Sequence, residues 1–251
     1  MFLSNEVKGQ ILANFNADGF VLIPDFFSKN EIETINSNLR RVFNEVLPNI
    51  PDHEVFYENK GNSSMIKQIS SLDQHDLFFN NLLTSSNLIE LSTLLLNDTI
   101  IPKNLAYFNK PALIGKATPP HQDGYYFKIH PPLALTVWVA LESSDEENGN
   151  VKYVKGSHLK GMRQHGKSET FGFSLQILDF GTEEDISNEI SLQAKPGDIL
   201  VHHSLTIHWA DRNLSKVRSR ESLGLVYYGK SAQEDTLLLN QYHEELISRR
   251  K

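Results

Sequence analysis

The chain has 251 residues, of which 39% are hydrophobic and 22% are charged, values typical of a globular protein with a substantial core. Its formal net charge of -7 argues against a nucleic-acid backbone or an anionic membrane surface as the main partner. Cysteine is absent, which excludes disulfides and thiolate metal ligands, so any metal must be held by histidine, carboxylate or water.

The first residues lack the basic and apolar regions of a signal peptide, and no apolar run reaches the length of a membrane span. We therefore expect a soluble, cytoplasmic protein with no membrane partner. The length predicts one domain over residues 1–251.

The N-terminal part, about 1–100, is predicted to be helical with one short strand. A helix is expected over 5–16, followed by a strand over Phe20–Ile23. Ser28 and Glu31 have the spacing of a capping box, which predicts the start of a second helix.

The second helix carries one apolar stripe, which favours packing on a sheet; a partner-binding helix is the alternative. The stripe consists of Ile32, Ile35, Leu39, Val42, Phe43 and Val46. After it, the polar stretch 52–72 predicts a long loop, and 74–96 predicts two helical segments broken near 84–86.

From about residue 101 onward, short β-rich runs replace the helical pattern. The stretch 156–186 is predicted to be an excursion between strands, and 238–251 to be an amphipathic surface helix. Helices followed by many short strands indicate a mainly β sandwich or barrel with helices against one face. The predicted strands are 104–109, 121–128, 133–142, 150–154, 189–193, 198–203 and 222–228.

His121-Gln122-Asp123 is the motif on which the functional argument depends. If it lies on a strand, His121 and Asp123 point to the same face. An imidazole and a carboxylate side by side are two of the three ligands of a 2-His-1-carboxylate Fe(II) site. The alternative is a hydrogen-bonded pair at a strand end.

A downstream segment contains three candidates for the third ligand. A Pro-Gly-Asp turn at 196–198 leads into an apolar strand that ends in His202 and His203, and His208 follows shortly after. His202 and His203 alternate faces, so at most one of them can face a metal from that strand. Next come Arg218 and Arg220, and an arginine at the head of a strand can bind a carboxylate bidentately.

The motifs of this chain, in the order in which they occur, resemble those of the phytanoyl-CoA dioxygenase family of Fe(II)/2-oxoglutarate oxygenases. The similarity runs in register from about residue 104 to 228. It is carried by Lys110-Pro111, His121-Gln122-Asp123, the Trp138 strand over 135–142, Glu147-Asn148-Gly149, Gly156-Ser157-His158, Pro196-Gly197-Asp198, His208 five residues before Asn213, and Arg220.

The chain departs from the family pattern at three places. Lys155 replaces the proline that usually precedes Gly-Ser-His. Trp209 replaces the small residue usual after the distal histidine, so it could crowd the site or shape a substrate pocket. Ser219 stands at the distance from the distal histidine where the family usually has its arginine, between Arg218 and Arg220. The residues that follow Arg220 match the family pattern better than those that follow Arg218.

The resemblance implies a double-stranded β-helix (jelly-roll, cupin-like) core over about 101–230, buttressed by the N-terminal helices. It implies that His121, Asp123 and His208 bind Fe(II), and that Arg220 pairs with the far carboxylate of 2-oxoglutarate. The resemblance adds Gln122, Trp138 and Lys110 as candidate cofactor contacts, with packing in the core as the alternative for Trp138. His203 is expected to be buried or hydrogen-bonded, not a ligand.

The activity that the resemblance implies is hydroxylation of an unactivated C–H bond of a small metabolite. Fe(II), 2-oxoglutarate and O2 would take part, and succinate and CO2 would be released. A catalytically silent jelly-roll module that binds a small ligand is the alternative from another class. A halogenase needs the carboxylate ligand replaced by a small residue, and Asp123 argues against that.

Overall fold

The computed structural model describes residues 4–58, 65–168 and 175–241. The helices are α1 (Asn5–Asp18), α2 (Lys29–Arg41), α3 (Leu72–His75), α4 (Leu77–Leu83), α5 (Ser86–Leu96), α6 (Gly124–Phe127) and α7 (Glu183–Ser187). A π-helical segment (Val42–Val46) and a 3-10 turn (Leu47–Asn49) extend α2, and a second 3-10 turn covers Ser157–Lys160.

The strands fall mainly after residue 100. They are β1 (Phe20–Ile23), β2 (Val55–Tyr57), β3 (Ile66–Ile69), β4 (Ile100–Asn109), β5 (Thr118–His121), β6 (Ile129–His130), β7 (Ala134–Ala140), β8 (Val151–Val154), β9 (His165–Lys167), β10 (Leu175–Ile177), β11 (Glu189–Leu192), β12 (Ile199–His203), β13 (His208–Ala210), β14 (Glu221–Gly229) and β15 (Gln233–Glu234).

Two antiparallel sheets face each other. The large sheet has seven strands in the order β1-β12-β7-β14-β4-β3-β2, and the small sheet has four in the order β11-β8-β13-β5. Two-stranded ribbons pair β9 with β10 and β6 with β15.

Helices cover the outer face of the large sheet, because alternate residues of its strands are apolar on that side. Ile32, Ile35 and Leu39 of α2 belong to the same buried cluster as Val137, Val139 and Val201 of the sheet. The apolar stripe of α2 is therefore core, as expected. In the described residues, no helix combines the length and apolar character needed to cross a membrane.

A second buried cluster fills the space between the two sheets. Phe20 of the large sheet stacks on Tyr153 of the small sheet, with ring centroids 4.4 Å apart and planes 15° apart. Trp138, Leu200 and Val151 belong to this cluster. The inner faces of the sheets thus create a dry environment next to the predicted ligands.

Most sequence-based elements are confirmed, including the capping box of α2, in which the Ser28 and Glu31 side chains each bond the other's backbone N–H. The break between helices at 84–85 is also confirmed, with α4 ending at Leu83 and α5 beginning at Ser86. The described residues 236–241 are helical, and the rest of the predicted C-terminal helix, from 242 onward, lies outside the described residues.

The prediction of a long loop over 52–72 is wrong in its described part. β2 and β3 form a hairpin at the edge of the large sheet, with Val55 opposite Ile69. Val55, Ile66 and Ile69 are buried, but Lys67 and Gln68 between them hide the strand pattern. Residues 59–64 of the predicted loop lie outside the described residues.

The Pro-Gly-Asp turn joins the large sheet to the segment before α2. Gly197 has a φ of +99°, and a Cβ at this position would lie 2.4 Å from the carbonyl oxygen of Phe27. The backbone N–H of Phe27 donates to the carbonyl of Gly197 at 3.0 Å, so the two segments are held in contact. Only glycine fits both the left-handed backbone and the close approach.

We predict that Gly197→Ala destabilises the protein by about 2–4 kcal/mol, from the left-handed backbone and the contact with Phe27 together. Gly181→Ala is the matched control, because Gly181 has a φ of +104° with nothing described within 4 Å of a Cβ. It should cost only about 1–2 kcal/mol. Urea denaturation compares the two, and equal losses would show that the contact with Phe27 contributes nothing.

Candidate metal centre

His121 and His208 meet on neighbouring strands of the small sheet. His121 ends β5 and His208 begins β13, and the two are direct cross-strand partners. Both rings are buried, and their centroids lie 4.1 Å apart. Strand pairing alone therefore brings together two residues that are far apart in the sequence.

Each of these histidines has one ring nitrogen held by the backbone. Nδ1 of His121 lies 2.8 Å from the carbonyl oxygen of Pro119, and Nδ1 of His208 lies 3.0 Å from that of Thr206. A carbonyl only accepts, so Nδ1 must carry the proton in both rings. Nε2 then carries the lone pair, which is the tautomer that a metal ligand requires.

Asp123 reaches the same point from a turn, so the prediction of a strand over 121–128 is wrong. β5 ends at His121, and Asp123 adopts helical backbone angles of φ -57° and ψ -37°. Its carbonyl accepts from the N–H of Tyr126 at 2.9 Å, which closes the single turn of α6. The aromatic run favoured a strand by composition, but local hydrogen bonds fold it into a helical turn.

The three predicted ligands converge. Asp123 Oδ1 lies 3.4 Å from Nε2 of His121 and 3.6 Å from Nε2 of His208. One donor atom from each residue lies within 4.8 Å of the others. Bonds of about 2.1 Å at right angles would place ligand atoms about 3 Å apart, so this donor set fits a divalent metal with small adjustments.

The protonation states of His208 and Asp123 suit a metal. Burial, reinforced by the neighbouring His121 and His202, holds the pKa of His208 well below its usual value. Burial alone would raise the pKa of Asp123, but its interactions with His208, His121 and His202 outweigh burial and hold that pKa well below the usual range. A neutral imidazole and an ionised carboxylate are the forms that bind metal.

The second oxygen of Asp123 has two partners that the sequence did not identify. Thr136 Oγ1 donates to Asp123 Oδ2 at 2.6 Å, and His202 Nε2 lies 3.1 Å from the same oxygen. Thr136 and His202 are cross-strand partners on β7 and β12 of the large sheet. Alternation along β12 indicates that at most one of its two adjacent histidines faces the site, and the strand register shows that it is His202.

The Gln122 side chain points in a different direction from those of His121 and Asp123. Its Nε2 donates to the carbonyls of Gly161 and Leu205 at 2.9 and 2.6 Å, and its Oε1 accepts from the N–H of Arg163 at 2.8 Å. The fully buried amide thus ties the ligand-bearing turn to two other loops. Its proposed contact with a cofactor stays a prediction.

Arg220 is buried beside Trp138. The guanidinium carbon lies 5.4 Å from the centre of the Trp138 ring, and burial lowers the pKa of Arg220 to about 10. Its Nε has no hydrogen-bond partner among the described residues, and neither has the buried hydroxyl of Ser222, two residues along the chain. A buried cation without a full set of hydrogen-bond partners is costly unless an anion pairs with it.

Arg218 and Lys110, the other two cations considered from the sequence, already have hydrogen-bond partners. Arg218 donates to both carboxylate oxygens of Asp145, at 2.7 and 2.9 Å. Lys110 Nζ donates to the carbonyls of Lys116 and Asp211 at 2.6 and 2.9 Å. Both side chains therefore have hydrogen-bond partners, whereas Arg220 Nε has none among the described residues.

His203 and Trp209 point away from the three ligands. The His203 ring lies between Phe15 and His158, with centroids 6.3 and 5.7 Å away, and its Nδ1 accepts from the N–H of Leu205 at 3.1 Å. Trp209 packs edge-on against Phe180 in a separate cluster. The departure at Trp209 therefore does not crowd the candidate metal centre.

Comparison with known proteins gives a match to the phytanoyl-CoA dioxygenase (PhyH) family over residues 15–222. Phytanoyl-CoA dioxygenase 1 of Oryza sativa subsp. japonica is 29% identical over 49% of this chain and 42% of its own length. The 1-deoxypentalenic acid 11-beta-hydroxylase of Streptomyces exfoliatus is 33% identical over 39% of this chain and 35% of its own length. The chain thus matches less than half the length of these curated relatives.

Solved structures share the fold. The epimerase SnoN, crystallised with Fe3+, alpha ketoglutarate and nogalamycin RO, superposes with a TM-score of 0.75 at 21% identity, covering 92% of this chain and 87% of SnoN. EctD from S. alaskensis superposes with a TM-score of 0.73 at 19% identity, covering 92% of this chain and 79% of EctD. The predicted mainly β, jelly-roll architecture with flanking helices is confirmed.

The family match also confirms the resemblance inferred from the motifs. The individual roles of the site residues stay predictions. Their geometry supports the three proposed ligands and favours Arg220 over Arg218 as the carboxylate anchor.

The pH dependence of stability should identify the state of His203. Burial, with His158 and His202 nearby, lowers the pKa of His203 to about 4, whereas an unfolded histidine titrates near 6.5. Between these values the unfolded chain binds more protons, so the His203 contribution is complete above about pH 6.5 and is lost as pH falls towards 4.

We expect the metal-free protein to lose on the order of 2 kcal/mol more stability between pH 7 and 4.5 than His203→Asn does. Asparagine can keep the acceptor for Leu205 but does not titrate. Urea unfolding of both proteins at both pH values measures the difference. Identical pH profiles would show that His203 is not held neutral.

Proposed function

Because this chain belongs to the phytanoyl-CoA dioxygenase family, we propose that it is an Fe(II)- and 2-oxoglutarate-dependent dioxygenase that hydroxylates an unactivated C–H bond of a small metabolite. The observation that carries the proposal is the convergence of His121, Asp123 and His208 through the atoms that a metal would need. When bound, iron with 2-oxoglutarate and O2 supplies the oxidising power, yielding succinate, CO2 and one oxygen atom for the substrate.

The protein's own contribution begins with the ligands. Nε2 of His121, Nε2 of His208 and Oδ1 of Asp123 would hold the metal from one side, with both histidines kept in the required tautomer by backbone carbonyls. A 2-His-1-carboxylate set leaves the remaining positions for co-substrate and oxygen. Retention of Asp123 argues against a halogenase, in which this position must be vacated.

Arg220 would bind the far carboxylate of 2-oxoglutarate. A buried guanidinium with an unsatisfied Nε is costly alone, and a carboxylate offsets that cost with charge-assisted hydrogen bonds. The unpartnered hydroxyl of Ser222 offers a further donor beside it, and the Trp138 ring supports the guanidinium. Arg218 and Lys110 are less suitable anchors, because both already donate hydrogen bonds to other groups.

We propose a free small metabolite as the substrate. An acyl-CoA needs cations for its phosphates, and several surface cations of the described residues already have acidic partners. These pairs are Lys103–Glu234, Lys152–Asp211, Lys155–Asp18, Lys160–Glu184, Arg163–Asp185 and Arg218–Asp145. The half-buried Tyr125, Tyr126 and Phe127 follow Asp123 directly and are candidates for the wall of the substrate pocket.

Turnover should depend on all three ligands. We expect His121→Ala, Asp123→Ala and His208→Ala each to weaken Fe(II) binding by more than about 100-fold and to abolish succinate formation from 2-oxoglutarate. His203→Ala is the control and should retain both. Calorimetry under anaerobic conditions and a screen of small metabolites for stimulated succinate release measure the two effects.

Mass spectrometry of the product, with chloride present, distinguishes the remaining alternatives. A gain of one oxygen and no chlorine supports the hydroxylase. A chlorinated product, a product without added oxygen, or bound iron with no stimulated turnover by any compound would contradict it. Loss of metal binding in His203→Ala but not in His208→Ala would show that the third ligand is wrongly assigned.

The carboxylate anchor gives a separate prediction. Removing one partner of a buried, charge-assisted pair costs about 2–5 kcal/mol, so Arg220→Ala should raise the KM for 2-oxoglutarate by about 30-fold or more. Arg218→Ala, which breaks an exposed ion pair, should change that KM by less than about threefold. Fe(II) affinity should be unchanged in both. Equal small effects would mean that the carboxylate is held elsewhere, with Lys110 the next residue to test.

A further inference from the structure

A buried chain of hydrogen bonds ends on the proposed metal carboxylate. The hydroxyl of Tyr153 lies 3.0 Å from Nδ1 of His202, and Nε2 of His202 lies 3.1 Å from Oδ2 of Asp123. Thr136 donates to the same Oδ2 at 2.6 Å. Tyr153, His202 and Thr136 are all buried, so water does not compete for these groups.

The direction of these hydrogen bonds follows from the acceptor at the end of the chain. An ionised carboxylate only accepts, so Nε2 of His202 must donate to Asp123 whether the ring is neutral or charged. In the neutral ring Nδ1 is then the acceptor, and the hydroxyl of Tyr153 donates to it. Burial and the nearby charge of Asp123 raise the pKa of Tyr153 well above its usual value, so the hydroxyl keeps its proton.

The two oxygens of Asp123 are therefore in different environments. Oδ1 faces the two histidine nitrogens of the small sheet, whereas Oδ2 accepts from His202 and Thr136 of the large sheet. A carboxylate without such restraint can rotate and present both oxygens to a metal. That would occupy one of the positions that co-substrate and oxygen require.

We propose that His202 is a positioning residue that, with Thr136, keeps Asp123 a ligand through Oδ1 alone, and that Tyr153 sets the ring of His202. The inference rests on the proposed function only in taking Asp123 as a metal ligand. His202 is not one of the three proposed ligands; it acts by orienting the carboxylate and by withholding its second oxygen.

A purely packing role for His202 makes different predictions. Its ring also packs against His208, with centroids 4.3 Å apart, so loss of the ring could simply loosen the site. His202→Phe keeps an aromatic ring but removes the donor. His202→Gln removes the ring but places an amide N–H at a comparable reach. Packing predicts that phenylalanine is the milder change, and positioning predicts that glutamine is.

The experiment measures Co(II) binding to the apoprotein and the visible absorption spectrum of the Co(II)-loaded protein, neither of which depends on turnover. We expect His202→Phe to weaken Co(II) affinity by about 10- to 100-fold and to change the spectrum, as loss of a group that orients a ligand does. His202→Gln should stay within about threefold of the parent with the parent spectrum. Tyr153→Phe should lie between the two.

If His202→Phe does not fold, Thr136→Val tests the same oxygen with a side chain of the same shape, and should weaken Co(II) binding by about 10-fold. Parent-like affinity and spectra in His202→Phe, or in Thr136→Val if that variant must replace it, would overturn the proposal. A milder effect of His202→Phe than of His202→Gln would also overturn the proposal. Asp123→Ala tests the proposed metal centre separately from the role of His202. If this variant leaves Co(II) binding intact, the proposed metal centre itself fails.

Discussion

The carboxylate of Asp123 contacts side chains from both sheets. One oxygen lies against histidines of the small sheet, and the other accepts hydrogen bonds from threonine and histidine of the large sheet. A buried ionised carboxylate is stable only with such partners. The position of the candidate metal centre therefore follows from how the two sheets pack, not from any one segment of the chain.

The surrounding layers make this packing possible. Helices bury the outer face of the large sheet, which leaves its inner face to pack through Phe20, Trp138 and Leu200 on the small sheet. Two members of the inner cluster also contact polar groups of the site, because the Tyr153 hydroxyl bonds His202 and the Trp138 ring lies against the Arg220 guanidinium. Because hydrogen bonds in such a dry setting are hard to replace, the polar groups there hold fixed orientations.

Sequence reasoning identified the three proposed ligands and the arginine mainly through their motif context, and the structure brings the three ligands together. It failed where a tertiary contact overrides local pattern. Residues 121–128 look like a strand by composition, but the chain turns after His121 so that Asp123 can reach the site. The hairpin of β2 and β3 was missed because polar residues interrupt its short apolar pattern.

The role of His202 could not be predicted for another reason. Alternation shows that His202 and His203 point to opposite faces, but which face holds the site depends on the pairing of β12 with β7. That register places His202 opposite Thr136, and it is a property of two strands that lie far apart in the sequence. The motif context drew attention to His203, which contacts Phe15 and His158 instead.

The contact of Phe20 with Tyr153 couples the packing of the two sheets to the candidate metal centre. Phe20 stacks on Tyr153, and the hydroxyl of Tyr153 lies 3.0 Å from Nδ1 of His202. Because core side chains are close-packed, a change in one ring is felt by its neighbour. A substitution at Phe20, in a strand that carries no proposed ligand, would therefore disturb the orientation of the site as well as the packing of the sheets.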